Sequence, residues 1–226
     1  MEKKQTHLGW ITTALMLGLI LSSLDVTIVS TAMPTVAKEL GGLSLYSWVF
    51  ASYLLTSTLM IPLYGKMADL FGRKKMYVIG LFLFLLGSFL CGLSDGMLQL
   101  IIFRGLQGLG AGAIMPISFT IIGDVFPPER LAKTQGLFGS TFAISSILGP
   151  TIGGFIVENW HWSWIFYVNI PIGLVACLLV LIHLHEGERK KRPSIDWLGA
   201  ISLCSAIISL LLAIELGSSQ QYSWSS

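Results

Sequence analysis

The amino-acid sequence predicts an all-α, polytopic bundle of membrane-spanning helices, and three observations support that prediction. Of the 226 residues, 54% are hydrophobic and only 12% are charged, whereas a soluble globular chain carries roughly 25% charged residues. The mean hydropathy is +0.75. The apolar residues form long continuous runs and do not alternate with polar residues, and about 20 of them cross ~30 Å of hydrocarbon as a helix.

Seven runs are long enough to cross a bilayer: 8–33, 45–64, 76–94, 98–123, 135–157, 164–183 and 196–216. The first run is too long for a cleavable leader and contains Asp25. We therefore predict a six-helix bundle over residues 1–184, a basic linker over 185–195, a seventh spanning helix over 196–216 and a polar tail over 217–226. The odd number of helices leads us to expect an incomplete protein.

The basic residues predict the orientation of the bundle. All but two of the 14 Lys and Arg lie at the amino terminus or in every second loop, at 65–75, 124–134 and 184–195. Because loops rich in Lys and Arg stay on the cytoplasmic side, we expect the amino terminus in the cytoplasm. The expected location is the plasma membrane of a bacterium.

The composition and the motifs exclude several classes of function. A net charge of +2 with no basic stripe does not suit a nucleic-acid binding protein. Three cysteines within apolar runs and four scattered histidines predict neither a disulfide framework nor a metal site. Residues 108–113 match a dinucleotide-binding fingerprint, but they lie in the middle of a span with no preceding strand. We expect no cofactor and no enzymatic activity.

Asp25 and Arg104 are charged residues well inside predicted spans. A charge at the bilayer centre costs about 2.5–3.5 kcal/mol, so such residues are candidates for function. Counting residues from the span ends places Asp25 ~12 Å deep and Arg104 ~9 Å deep. They occupy the first helix of each group of three, which an inverted repeat brings together around a central cavity. One interpretation is a protonatable carboxylate that faces a wet cavity beside an arginine, and the other is a static ion pair.

Glycines in two spans predict close helix packing. Gly108 belongs to a glycine-rich stretch of span four, and Gly149 and Gly153 form a small-xxx-small pair in span five, with Gly154 adjacent. Pro150 removes a helical hydrogen bond and favours a kink. Span five is therefore either a packed, kinked helix or a hinge and seal in a conformational cycle.

The 65–75 loop is predicted to be about ten residues long. Gly65 and Gly72 allow tight turning, and Asp69 and Arg73 are one turn apart if the loop is helical. The basic residues of this loop indicate topology above all. A short charged hinge between two spans is the alternative.

Five motifs in order resemble the major facilitator superfamily, and within it the drug:proton antiporters of the 14-helix type. They are Leu24-Asp25-Val-Thr27-Ile28-Val29 with Ala32-Met33-Pro34, Gly65 to Lys75, Arg104-Gly-Leu-Gln107-Gly108, Gly149-Pro150-Thr-Ile-Gly153-Gly154, and Trp162-Ser-Trp164-Ile-Phe166-Tyr-Val-Asn169-Ile-Pro171-Ile-Gly173. The resemblance extends from span one through span seven. Two positions depart from the pattern: Ser163 replaces a common arginine, and Ser145 replaces a common glycine.

The resemblance implies roles for individual residues. Asp25 would be the site of the proton and of a substrate cation, and Arg104 would support proton transfer. Asp69, Arg73 and Asp124 would form a gating charge cluster that holds the outward-open state.

The resemblance also implies a function, namely proton-driven export of lipophilic or cationic small molecules, which is multidrug efflux and a cause of antibiotic resistance. Its partners would be these substrates, protons, membrane lipid and a missing carboxy-terminal bundle. Since alternating access needs two bundles, the chain is not expected to transport alone. The alternatives are an uptake carrier or uniporter of the same fold, and a non-transporting truncated fragment.

Overall fold

The computed structural model describes residues 8–185 and the isolated positions 202, 205, 206 and 209. Seven α-helices follow one another within this part of the chain: α1 Leu8–Leu40, α2 Tyr46–Phe71, α3 Arg73–Gly92, α4 Met97–Val125, α5 Pro128–Asn159, α6 Trp164–Tyr167 and α7 Asn169–His183. A single 3₁₀ turn, Leu43–Leu45, precedes α2. Residues 8–185 contain no strand, so the predicted all-α class is confirmed.

Within residues 8–185, six segments are long and apolar enough to cross a membrane, and the sixth, Trp164–His183, combines α6 and α7. They correspond to the first six predicted spans. The seventh predicted helix over 196–216, the linker over 185–195 and the tail over 217–226 lie almost entirely outside the described residues, and they remain predictions.

The predicted loop at 65–75 is wrong in its length. Helix α2 continues to Phe71, and α3 begins at Arg73. Only Gly72 separates the two helices, with φ 100° and ψ 141°, a backbone conformation that residues with a Cβ rarely adopt. Gly65 lies inside α2 and takes no part in a turn.

Contacts between helices define two ends of the bundle. At one end, called the basic end, Trp10 stacks on His183 with ring centroids 5.6 Å apart, and Lys74 Nζ donates a hydrogen bond of 2.7 Å to the Leu181 carbonyl. At the opposite end, Glu39 Oε2 lies 3.8 Å from His161 Nε2. The basic end contains the α2–α3 and α4–α5 connections, in agreement with the predicted clustering of basic loops.

Glycines bring α4 into close contact with two neighbouring helices. A Cβ at Gly110 would collide with the α3 backbone at Phe84 and Gly80, and a Cβ at Gly108 would collide with Tyr53 and Thr56 of α2. The absence of side chains lets the helix backbones approach within van der Waals contact, which is how membrane helices associate. Helix α4 is thereby fixed against α2 and α3.

Helix α5 packs on α1 in the same manner. A Cβ at Gly149 would collide with the Thr27 side chain, and a Cβ at Gly153 would lie 2.9 Å from the Ile28 carbonyl oxygen. Gly154 faces open space. Pro150 lies within α5, which remains helical through it.

The buried apolar side chains form two clusters. One cluster lies in the half of the bundle nearer the basic end and includes Leu15, Leu19, Leu21, Tyr77 and Phe84. The cluster in the opposite half includes Leu24, Ile28, Leu100, Ile165 and Phe166. On α1, Asp25 falls between Leu21 and Ile28, so a buried polar layer lies where the two clusters meet.

Candidate functional site

The centre of the polar layer is an ion pair between the first and fourth helices. Arg104 Nη1 lies 2.6 Å from Asp25 Oδ2, and the two side chains are 1% and 0% exposed, respectively. The contact confirms that the structure brings the two charged residues of the spans together. Asp25 has no exposed surface, so the expectation that it faces a wet cavity is wrong for this structure. Side chains of α4 and of the sixth span contact it directly.

Two amide side chains complete the coordination of the Asp25 carboxylate. Gln107 Nε2 and Asn169 Nδ2 donate to Asp25 Oδ1 at 2.8 and 2.9 Å. Gln107 Oε1 accepts a hydrogen bond of 2.8 Å from Arg104 Nη1. Because a guanidinium only donates and an ionised carboxylate only accepts, these contacts determine which end of the Gln107 amide faces each partner.

Helix α3 and the start of the sixth span hold Asn169 in place. Asn169 Nδ2 donates a second hydrogen bond, of 2.9 Å, to Ser88 Oγ. Ser88 Oγ in turn donates to the Phe166 carbonyl at 3.0 Å. Both side chains are fully or almost fully buried. The network therefore joins α1, α3, α4, α6 and α7.

Aromatic rings cover the arginine. The Arg104 guanidinium carbon lies 4.2 Å from the centroid of the Tyr53 ring and 5.9 Å from that of Phe166. Tyr53 comes from α2 and its hydroxyl lies 3.5 Å from Ser22 Oγ. Rings at such distances attract a cation through their π faces. Arg104 Nε has no hydrogen-bond partner among the described residues.

The stability of this buried ion pair depends on how many of its polar atoms have hydrogen-bond partners. Removing two charges from water costs several kcal/mol per ion, and their attraction compensates for this only when further hydrogen bonds satisfy the remaining polar atoms. Here both carboxylate oxygens accept hydrogen bonds and the Arg104–Asp25 pair carries no net charge, but Arg104 Nε lacks a partner among the described residues. The arrangement is therefore a neutral, hydrogen-bonded unit inside the bundle.

A second charged group lies at the basic end. Arg73 forms ion pairs with Asp124 and with Asp69, the latter at 3.6 Å. Arg73 Nη1 also donates to the Thr120 carbonyl at 3.2 Å. The structure thus places the three residues of the expected gating cluster together, on α2, α3 and α4. Their side chains are between about one-third and one-half exposed, so the pairs add little stability.

A cavity of about 420 Å³ opens at the basic end between α1 and α5. Its walls include Thr12, Lys133, Thr134 and Ser140. Asp25 is not among its lining residues. The cavity is separate from the buried ion pair.

The two departures from the family pattern occupy distinct places. Ser145 of α5 contacts α1: Ser23 Oγ donates to its hydroxyl at 2.6 Å, and Thr27 donates to its carbonyl at 3.2 Å. Ser163 is buried and its hydroxyl lies 3.0 Å from His161 Nδ1. The residue at position 145 is thus a polar contact between helices in addition to being small.

Sequence reasoning missed the amides and the serine of the network. Gln107 and Asn169 stand within the quoted motifs, but the sequence pattern assigns them no role, and it does not distinguish Ser88 from other serines. Uncharged polar residues are frequent in membrane helices, so their presence in a span indicates function less strongly than a charged residue does. The available signal was spacing, because Gln107 follows Arg104 by three residues and so shares its helix face.

Comparisons with known proteins agree with this architecture. The family profile described as Major Facilitator Superfamily matches residues 15–224. Multidrug resistance protein 3 of Bacillus subtilis (strain 168) is 44% identical over 223 residues, which are 99% of this chain and 43% of the relative. Multidrug transporter protein MdtP of the same organism is 43% identical over 225 residues, which are 100% of this chain and 41% of the relative. The chain spans about two-fifths of the length of these relatives.

Solved structures share the fold at low sequence identity. The D-xylose-proton symporter gives a TM-score of 0.71 at 19% identity, over 94% of this chain and 56% of that one. The human organic anion transporter MFSD10 (TETRAN) gives a TM-score of 0.72 at 19% identity, over 88% of this chain and 54% of that one. These likenesses support the predicted six-helix architecture of the described part.

Proposed function

Because the chain belongs to the major facilitator superfamily, whose members are transporters and not enzymes, we propose that it contributes to proton-coupled export of lipophilic or cationic small molecules. The observation that carries the proposal is the Asp25–Arg104 pair, a carboxylate and a guanidinium buried together between the first helices of the two three-helix groups. The names of the two Bacillus relatives support multidrug efflux as the form of transport.

In this proposal Asp25 exchanges a proton while the bundle changes conformation. A proton and a cationic substrate favour opposite charge states of one carboxylate, so the binding of either disfavours the other. Coupling is then a difference in binding free energy between conformations. One proton that moves inward supplies about 2.3 kcal/mol per 100 mV of membrane potential. Arg104 cannot release its own proton under these conditions and would act on Asp25 through charge.

The charged cluster at the basic end would control access. Asp69, Arg73 and Asp124 connect three helices through ion pairs that are accessible to water, and such pairs form and break at small cost. We place this cluster at the cytoplasmic side, with the amino terminus in the cytoplasm of a bacterial cell. It would hold one of the two conformations that alternating access requires.

Transport would involve a second bundle, as the greater length of the relatives suggests. No cofactor enters the proposal, since the proton gradient supplies the energy. The partners are therefore the substrate, protons and lipid.

The test uses a chimera in which this chain is joined to the part of Multidrug resistance protein 3 that it does not match. Everted membrane vesicles are energised, and the collapse of the proton gradient on addition of a lipophilic cation is followed with a pH-sensitive dye. We expect Asp25→Asn to abolish the substrate-dependent proton flux. Asp95→Asn, at an exposed residue between α3 and α4, is the matched control and should leave it unchanged.

Undiminished proton-driven efflux by Asp25→Asn would contradict the proposal. The direction of substrate movement decides between export and the alternative of an uptake carrier or uniporter. Accumulation of the cation inside everted vesicles corresponds to export in the cell. Movement that is independent of the proton gradient would identify a uniporter.

A further inference from the structure

The two oxygens of the Asp25 carboxylate differ in the hydrogen bonds that they accept. Oδ1 accepts from two amides, those of Gln107 and Asn169, at 2.8 and 2.9 Å. Among the described residues, Oδ2 accepts from Arg104 Nη1 alone, at 2.6 Å. A carboxylate oxygen offers about two lone-pair positions. Those of Oδ1 are both occupied, whereas one position of Oδ2 has no donor among the residues that the structure describes.

The Asn169 amide is held so that it cannot easily leave Oδ1. Its nitrogen has two hydrogens, and both are used: one for Asp25 Oδ1 and one for Ser88 Oγ at 2.9 Å. Ser88 is itself held, because it donates to the Phe166 carbonyl at 3.0 Å. Rotation of the amide would leave buried polar atoms without hydrogen-bond partners, which is unfavourable.

We propose that Asn169, together with Gln107, determines which oxygen of Asp25 receives the proton, and that this oxygen is Oδ2. The inference rests on the proposed function in taking Asp25 as the proton site, and it extends that function by making Asn169 a positioning residue. One O–H bond forms at Oδ2 with a proton taken from the aqueous phase, and no other covalent bond of the protein changes. Oδ1 then remains the carbonyl oxygen and keeps both amide hydrogen bonds.

This choice of oxygen determines which hydrogen bonds of Asp25 persist after protonation. Protonation at Oδ2 removes the negative charge opposite Arg104 Nη1, so the ion pair between α1 and α4 is lost. The bonds from Gln107 and Asn169 to Oδ1 persist. Arg104 keeps its hydrogen bond of 2.8 Å to Gln107 Oε1 and its position over the Tyr53 ring. The proton would thus release Arg104 selectively while the carboxyl stays attached to α4 and α7.

Infrared spectroscopy of the 226-residue chain in lipid, without substrate, tests the inference. The sample is acidified, and the carbonyl-stretch band of protonated Asp25 is identified as the band that Asp25→Asn removes. A carboxylic carbonyl absorbs at lower wavenumber when it accepts hydrogen bonds. We expect a band displaced to low wavenumber in the native chain. We expect it at higher wavenumber in Asn169→Leu, where one of the two amide bonds is gone.

Two further variants make the result decisive. Ser88→Ala removes the partner that orients Asn169 without creating bulk, and it should displace the band in the same direction by a smaller amount. Asn159→Ala changes an exposed asparagine that donates to the Phe155 carbonyl, and it should leave the band in place. If Asn169→Leu does not fold, Ser88→Ala alone decides.

An unchanged band in a folded Asn169→Leu or in Ser88→Ala would overturn the inference. So would the absence of any band dependent on Asp25 at every pH at which the chain stays folded. The vesicle experiment fails or succeeds separately. A chimera without proton-coupled flux, combined with the expected displacement of the band, would remove antiport and retain the placement of the proton.

Discussion

At the scale of single residues, the buried charges were readable from sequence and their partners were not. Asp25 and Arg104 interrupt apolar runs, so their cost in hydrocarbon marked them. Similar depth on two different helices then predicted that they meet. Asn169 gave no such signal, because it lies 144 residues from Asp25 in sequence and only the packing of the sixth span on α1 brings the two together.

The ion pair predicts an unequal pattern of stability among its variants. Arg104→Leu leaves a carboxylate buried without its counterion, and we expect a loss of about 3–5 kcal/mol in the free energy of unfolding. The double variant Asp25→Leu/Arg104→Leu leaves no buried charge and should lose less than the single variant. Unfolding in mixed micelles, followed by circular dichroism, measures both.

The free energy of unfolding that Arg104→Leu loses should depend on pH in one direction. In Arg104→Leu the unpaired carboxylate can become neutral by taking up a proton, and uptake is easier at acidic pH. The free energy of unfolding lost in Arg104→Leu should therefore become smaller as the pH falls. The double variant should not show this trend. A double variant less stable than Arg104→Leu at neutral pH would argue against a buried charge as the cause.

At the scale of secondary-structure elements, the sequence located the spans well and their ends less well. The apolar windows predicted the centres of six helices. Hydropathy assigns the charged residues around Asp69 to a loop because charges are unfavourable in hydrocarbon, but α2 continues through them to Phe71. A helix does not have to end where the membrane does, and hydropathy reports only the membrane.

Glycines on α4 predict which helix contacts tolerate no added volume. Gly110→Ala would place a methyl group in the backbone of α3, and overpacking of this kind costs about 1–3 kcal/mol. Gly139→Ala is the matched control, because a Cβ there meets nothing within 4 Å; it should be neutral or stabilising by up to ~1 kcal/mol. The fraction of each variant that remains monodisperse after heating in detergent measures the difference.

Equal thermal stability of the two variants would show that α3 and α4 can separate at no cost. That outcome would contradict the close packing at Gly110. A large loss of thermal stability in Gly139→Ala would instead show that another segment packs against the face of α5 that carries Gly139.

At the scale of the whole molecule, the helices of the two three-helix groups interleave. Helix α1 contacts α5 at Gly149, and α4 contacts α2 at Gly108. An inverted repeat inferred from the sequence predicts the number of helices and the contact between the first helix of each group. It does not give these cross-contacts, because they depend on which faces carry small residues at matching depth.

The orientation of the bundle gives a prediction that concerns the chain as a whole. In a background with Cys91, Cys177 and Cys204 replaced by Ala, Ser44→Cys should react with a membrane-impermeant maleimide in intact cells. Glu129→Cys, near the start of α5 at the basic end, should react only after the cells are opened. Both positions are exposed, so burial does not account for a difference between them.

Labelling of Glu129→Cys in intact cells, with protection of Ser44→Cys, would place the basic end outside and reverse the predicted topology. Reaction of both residues in cells whose membrane excludes the maleimide would show that the chain inserts in both orientations. Either result would contradict an amino terminus in the cytoplasm.

The single residue between α2 and α3 limits how this part of the molecule can move. A connection of one residue, Gly72, leaves no slack, so neither helix can slide along its own axis without carrying the other. The permitted movement is a change of angle about that point. Arg73 is the next residue and lies close to the pivot, so its own position changes little when the angle does. A displacement of α4 that carries Asp124 away would therefore break their ion pair even when α2 and α3 stand still.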